Sequence, residues 1–174
     1  MKKPRKTFLI ILFLLLVLTV VFVSNLKLAR TQDAMIDMLR QNLHLAKNDG
    51  TSISYAGEFV VNENALLWFS IQKEYETYYR AVECRLLKKG GYLLKNIYKP
   101  MTYAQDIVHI VWKAEDVFLI NNSDCRAIVC KDIFDNVISK TEISSDDIPY
   151  VFLLRTSVSS STWDFLDITG NSVR

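Results

Sequence analysis

From Phe8 to Val23 the chain reads FLIILFLLLVLTVVFV, with Thr19 as its one polar residue. With Thr7 and Ser24 the span covers residues 7–24. As a helix it is about 27 Å long, enough for a hydrocarbon core of roughly 30 Å with slight thinning. The pattern predicts a transmembrane helix. A cleaved signal peptide would share its basic and apolar regions, but the run is longer than an ordinary h-region, and Phe22-Val23-Ser24 puts a bulky side chain where cleavage needs a small one. A retained signal anchor is therefore expected. Over residues 26–49 the apolar positions Ala29, Ile36, Leu39, Leu43 and Ala46 recur at helical spacing before Gly50. They predict an amphipathic juxtamembrane helix continuing from the membrane, its stripe docked on the chain's own domain or acting as a spacer.

After Gly50 the period changes to two. Ile53, Tyr55, Phe59 and Val61 alternate with smaller or polar residues, and the turn Asn62-Glu63-Asn64 leads into LLWFSIQ. Tyr78, Val82, Cys84 and Leu86 share one face of a third run, with Arg80 as the polar exception. Lys88-Lys89-Gly90-Gly91 then turns the chain into YLLKNIY, a hairpin signal. IVHIVWK, DVFLIN and CRAIVCK follow, and beyond Asp146, Asp147 and Pro149 come YVFLLRTSV and WDFLDI, the last readable as strand or helix. Strands at this spacing predict a mainly β fold, an antiparallel meander or small sandwich. The expected organisation is a basic cytoplasmic tail (1–6), a transmembrane helix (7–24), a juxtamembrane helix (25–50) and an exported β-rich domain (51–174).

Composition narrows this further. A chain of 174 residues, half of them hydrophobic and 23% charged, suits one ordinary domain and excludes collagen-like or strongly disordered classes. Lys2, Lys3, Arg5 and Lys6 all precede the apolar run; without them 17 of the 21 basic residues stand against 19 acidic ones. The remainder has no basic footprint of a nucleic-acid binder. Basic residues concentrated before the span, against Lys27 and Arg30 after it, predict a cytoplasmic N-terminus and an extracellular C-terminal domain in the cell membrane.

Three cysteines in an exported domain raise the question of a disulfide. On a straight strand Cys125 and Cys130 would point to opposite faces about 16 Å apart, so any bridge should join Cys84 to one of them; the alternative is three free thiols acting as small apolar residues. Cys-x4-Cys is not a zinc spacing. His44 reads as a solvated helix residue and His109, sharing a face with Ile107 and Val111, as a core or edge histidine. Asp132, Asp135, Asp146 and Asp147 read as turn and capping residues. No nucleotide-binding or nucleophile-elbow motif is present. No catalytic residue, metal site or cofactor is expected. Asn121-Asn122-Ser123 matches a glycosylation sequon, relevant only in a eukaryotic secretory pathway. The aromatic run Trp68, Phe69, Tyr75, Tyr78 and Tyr79 has two readings: Trp68, Tyr75, Tyr78 and Tyr79 as an exposed interaction face, or the whole run as cross-strand pairs inside a sheet.

One longer pattern spans residues 53–135. Lys95-Asn96-Ile97-Tyr98, Ile110 and Trp112 in I-x-W, Glu115-Asp116-Val117 leading to Ile120-Asn121, and Val129-x-Lys131-Asp132-x-Phe134-Asp135 resemble, in order and spacing, a family of small single-pass membrane proteins of Bacillus-like bacteria with a domain of unknown function. The resemblance implies a membrane location and an exported β-rich domain, and no activity. The leading expectation is a non-enzymatic, anchored domain that binds a protein partner at the cell surface. One alternative is a bitopic assembly subunit associating through its transmembrane and juxtamembrane helices. The other is an envelope enzyme whose carboxylates meet only in three dimensions.

Overall fold

Two-residue turns that reverse the chain sharply lay out the first sheet. The computed structural model describes residues 10–18, 28–46, 48–101, 107–154 and 162–173, with backbone alone at 152–154. Residues 10–18 are helical (α1). They are followed by β1 (Leu28–Ala29), α2 (Gln32–Asn42), β2 (Ser52–Val61), β3 (Asn64–Lys73), β4 (Glu76–Leu86) and β5 (Tyr92–Ile97). Asn62 and Glu74, which open the β2–β3 and β3–β4 turns, both take positive φ, as tight hairpins with the natural strand twist require. The order β1-β5-β4-β3-β2 is the expected meander, with β1 added at its edge.

Next come β6 (Ile107–Trp112), β7 (Glu115–Ile120), β8 (Ala127–Lys131), β9 (Val137–Glu142), a 3-10 turn at Ser145–Asp147, β10 (Tyr150–Leu154) and β11 (Thr162–Leu166). They form two three-stranded sheets, β10-β7-β6 and β11-β8-β9, and every pairing is antiparallel. WDFLDI is thus a strand at its start. VISKTE, which sequence pattern did not single out, forms β9.

Three apolar clusters stack these elements. Met35 and Leu39 of α2 pack with Ala29, Ala65, Leu67, Phe69, Val82 and Cys84 on one face of the five-stranded sheet. On its other face, Ala56, Leu66, Trp68, Tyr79 and Ala81 meet Val108, Trp112, Val117 and Leu119 of the second sheet. The far side of that sheet, with Ile107, Phe118 and Ile120, meets Ile128, Phe165, Cys125 and Ile143 of the third sheet and its flanks. The architecture is mainly β, as expected, but with three sheets and a covering helix in place of a meander alone or a two-sheet sandwich. The reason is visible along β3 and β7, where neighbouring residues are buried on opposite faces, as only an inner layer permits.

Two glycines allow close approaches, one between sheets and one within the first sheet. Gly57 sits at a bulge in β2 with φ +135, and a Cβ there would lie 2.8 Å from Val151 Cγ2 of β10, so the first two sheets approach closely at that point. At Gly91, in the β4–β5 turn, a Cβ would lie 2.8 Å from the carbonyl oxygen of Ala29.

The helix expected over 26–49 is confined to Gln32–Asn42. Leu28 and Ala29 pair instead with Leu93 and Tyr92, and Thr31 caps the helix by accepting a hydrogen bond from the Ala34 amide at 3.1 Å. Arg40, in the last turn, donates to the carbonyl of Thr51 at 3.0 Å and so ties the helix to β2. Among the described residues no helix is long and apolar enough to cross a membrane. Residues 10–18 nevertheless form a helical run of nine apolar side chains, all exposed. The basic tail and the remainder of the apolar run lie outside the described residues.

The helix seam decides where the β-rich region can be cut. A fragment beginning at Leu26 should melt cooperatively with a β-rich spectrum, whereas one beginning at Thr51 loses Ala29, Met35 and Leu39 and bares one face of the sheet. Met35 and Leu39 alone contribute about 3–6 kcal/mol through burial, so the shorter fragment should be largely unfolded or aggregated by circular dichroism and light scattering. Equal melting of the two fragments would contradict the seam.

Candidate functional site

The four aromatic residues expected as an interaction face are not brought together as one. Trp68 is completely buried between the first two sheets, and its indole N–H has no acceptor among the described residues. Tyr79 is buried in the same cluster, and the side-chain amide of Asn121 donates to its hydroxyl at 2.8 Å. This contact engages the asparagine of the sequon. Tyr78 is half-buried, while Tyr75, in the β3–β4 turn, is fully exposed. Phe69 packs on the opposite face from Trp68, edge-on to Tyr55. Because both faces of the sheet are covered, projection away from one core carries Trp68 into another.

The cysteines are free and buried. Cys84 lies in the cluster beneath α2 and Cys125 in the cluster between the second and third sheets, so a Cys84 bridge to Cys125 does not form. Cys130 stands in β8, buried and unpaired. Cys125 also precedes β8, its amide bonded to the Asn122 carbonyl, so the strand parity expected for CRAIVCK does not govern it. Burial pushes the Cys84 thiol up to about 12, with Glu83 and Glu58 adding to the shift. Cys125 is also raised, by the same cause.

His109 lies at the margin of the third cluster. Its Nε2 is 2.6 Å from Asp116 Oδ1, and its ring stacks on Phe118 at 4.6 Å with Trp163 of β11 at 5.7 Å. Asp116 is paired with Val111 across the β6–β7 hairpin, and His109 with Phe118, so the His109–Asp116 hydrogen bond is a diagonal cross-strand contact. Among the described residues no three His, Cys, Asp or Glu side chains gather as metal ligands would. His44 is exposed, with positive φ just beyond α2. Asp146 and Asp147 occupy the first turn of the short 3-10 helix behind Ser144, and Asp135 takes positive φ in the β8–β9 turn.

That turn presents the exposed apolar surface that the sequence reading passed over. Asp132 Oδ1 accepts from the amides of Phe134 (2.8 Å) and Asn136 (2.9 Å), and its Oδ2 accepts from the Asn136 side chain. These bonds, led by the one from the Asn136 side chain, hold the carboxyl below the ordinary carboxylate range. On this fixed turn Ile133 and Phe134 are 65% and 76% exposed, and Val137 and Ile138 on β9 are 61% and 48% exposed. β9 is an edge strand of its sheet, so its outer backbone groups offer an edge for pairing as well. The signal in the sequence was an Ile-Phe pair inside a turn otherwise built of Asp and Asn. Such a surface can take up an apolar face or an extended strand of another protein. The chain matches no family model, no curated protein and no solved structure.

The Cys84 geometry yields a direct check. With its thiol raised to about 12, the neutral form persists through pH 9, and the folded protein should resist maleimide or iodoacetamide at Cys84 until denaturant is added. Non-reducing mass mapping should show three free thiols. Modification of Cys84 in native protein at pH 8, or a disulfide, would contradict its placement.

Proposed function

We propose that this is a single-pass membrane protein with a cytoplasmic N-terminus, whose exported β domain acts by binding a protein partner through the β8–β9 hairpin. The observation that carries the reading is the apolar surface of Ile133, Phe134, Val137 and Ile138, held outward by the Asp132 turn. The anchor is supported by the uniformly apolar sequence of residues 7–24 apart from its Thr and Ser positions, by the exposed apolar side chains of α1, and by the basic residues before the span. Resemblance to the small single-pass family of Bacillus-like bacteria favours the same location. The stripe of α2 is engaged on the first sheet, which favours binding through the sheet end of the molecule over association through the juxtamembrane helix. An exposed turn fixed by three hydrogen bonds to one carboxylate is pre-organised, which lowers the entropic cost of docking.

Two measurements test the reading. Protease added to intact protoplasts should digest the region after residue 50 and leave the N-terminal tail; protection of that region, or a mature N-terminus near Asn25, would overturn the topology. A photo-cross-linker at the exposed Val137 of β9 should capture a protein partner, one at the exposed Asp37 of α2 should not, and F134D should abolish capture from position 137 while leaving the melting temperature within a few degrees. Capture from position 37 alone would favour the assembly-subunit reading.

A further inference from the structure

The β4–β5 turn lies on the chain segment that follows the apolar run. Gly91 approaches the Ala29 backbone so closely that a side chain there would collide with it, and the turn is closed by Leu87 N–H to the Gly91 carbonyl at 3.1 Å and by Gly90 N–H to the Leu87 carbonyl at 2.9 Å. Leu28, Arg30, Leu87, Lys89 and Gly90 line an open depression of about 450 Å³. Its rim is cationic. Arg30, Lys88 and Lys89 are exposed and form no ion pair among the described residues, whereas Arg85, Lys131 and Lys140 pair with Glu63, Asp164 and Glu142. Its floor is apolar, with Leu28 45% exposed and Leu87 half-buried.

Leu28 stands four residues after Ser24, the end of the apolar span. Four residues reach at most about 14 Å, less than two Debye lengths at physiological ionic strength. Leu28, at the floor of the depression, is thereby tethered near the end of the span. We propose that Arg30, Lys88 and Lys89 form a docking surface for anionic lipid headgroups of the membrane holding residues 7–24, an inference that rests on the anchor reading above. Three cations without ion-pair partners among the described residues, near a surface of opposite charge, would hold the β4–β5 turn on the leaflet. The depression between them suits a phosphate with its glycerol against Leu28 and Leu87.

The test uses the full chain in nanodiscs of phosphatidylcholine alone or with 30% phosphatidylglycerol, followed by amide hydrogen exchange. Residues 87–91 should exchange at least threefold more slowly in the anionic discs. The difference should vanish in the K88Q/K89Q double variant and in 0.5 M NaCl, with β3 exchange unchanged as the control for folding. Equal exchange of 87–91 in both discs, with residues 10–18 protected in both, would overturn the lipid contact and leave the anchor standing. Unprotected residues 10–18, or failure of the chain to remain with the discs, would overturn both. Equal slowing by millimolar glycerol phosphate in discs of phosphatidylcholine alone would assign the surface to a free anion and overturn the lipid reading.

Discussion

Ala65, Leu66, Leu67, Trp68 and Phe69 are completely buried at five successive positions of one strand. Successive side chains on a strand point to opposite sides, so this segment is stable only if both faces of its sheet are covered. The odd positions are covered by α2 and the even ones by the second sheet. The second sheet in turn has Val117 and Leu119 on one side and Phe118 and Ile120 on the other, which requires the third sheet. Each layer therefore buries a face that its neighbour would otherwise expose to water, at about 25 cal/mol per Å² of apolar surface.

The ordering of layers separates two kinds of surface. β1 and the β4–β5 turn belong to the first sheet, and β1 begins four residues after Ser24 in sequence. The β8–β9 hairpin belongs to the third sheet, with the second between them. Arg30, Lys88 and Lys89 stand exposed at the first location, and Ile133, Phe134, Val137 and Ile138 at the second.

The strands of the meander were legible because the period of two and the turn residues Asn62, Gly90 and Gly91 agree with one another. The start of α2 is less so: Ala29 continues the helical stripe in sequence, yet its backbone pairs with Tyr92, a contact 63 residues away. The local clue was Thr31 ahead of Asp33, a capping residue followed by an acid in the first turn. Trp68 stays open between an exposed face and a packed one in sequence for a physical reason, since alternation tells which residues share a face but not whether both faces are covered. β9 escaped notice because an edge strand with exposed sides has no buried face to impose a pattern. The pairings of β10 with β7 and β11 with β8 skip over intervening strands, and no short-range feature encodes them. The His109–Asp116 contact likewise depends on the register set by the turn at Lys113-Ala114, whose positive φ at both residues is invisible in a sequence lacking Gly there.

Mutual coverage of the layers makes them one cooperative unit, and native-state hydrogen exchange of L39A tests this directly. Removing the buried Leu39 side chain should cost about 2–5 kcal/mol. If the layers stand together, the slowest amides of β3, beneath the helix, and those of β7, one sheet further on, should lose protection by the same free energy. Loss of protection in β3 with β7 unchanged would contradict it, and the stack would be a set of independently stable sheets.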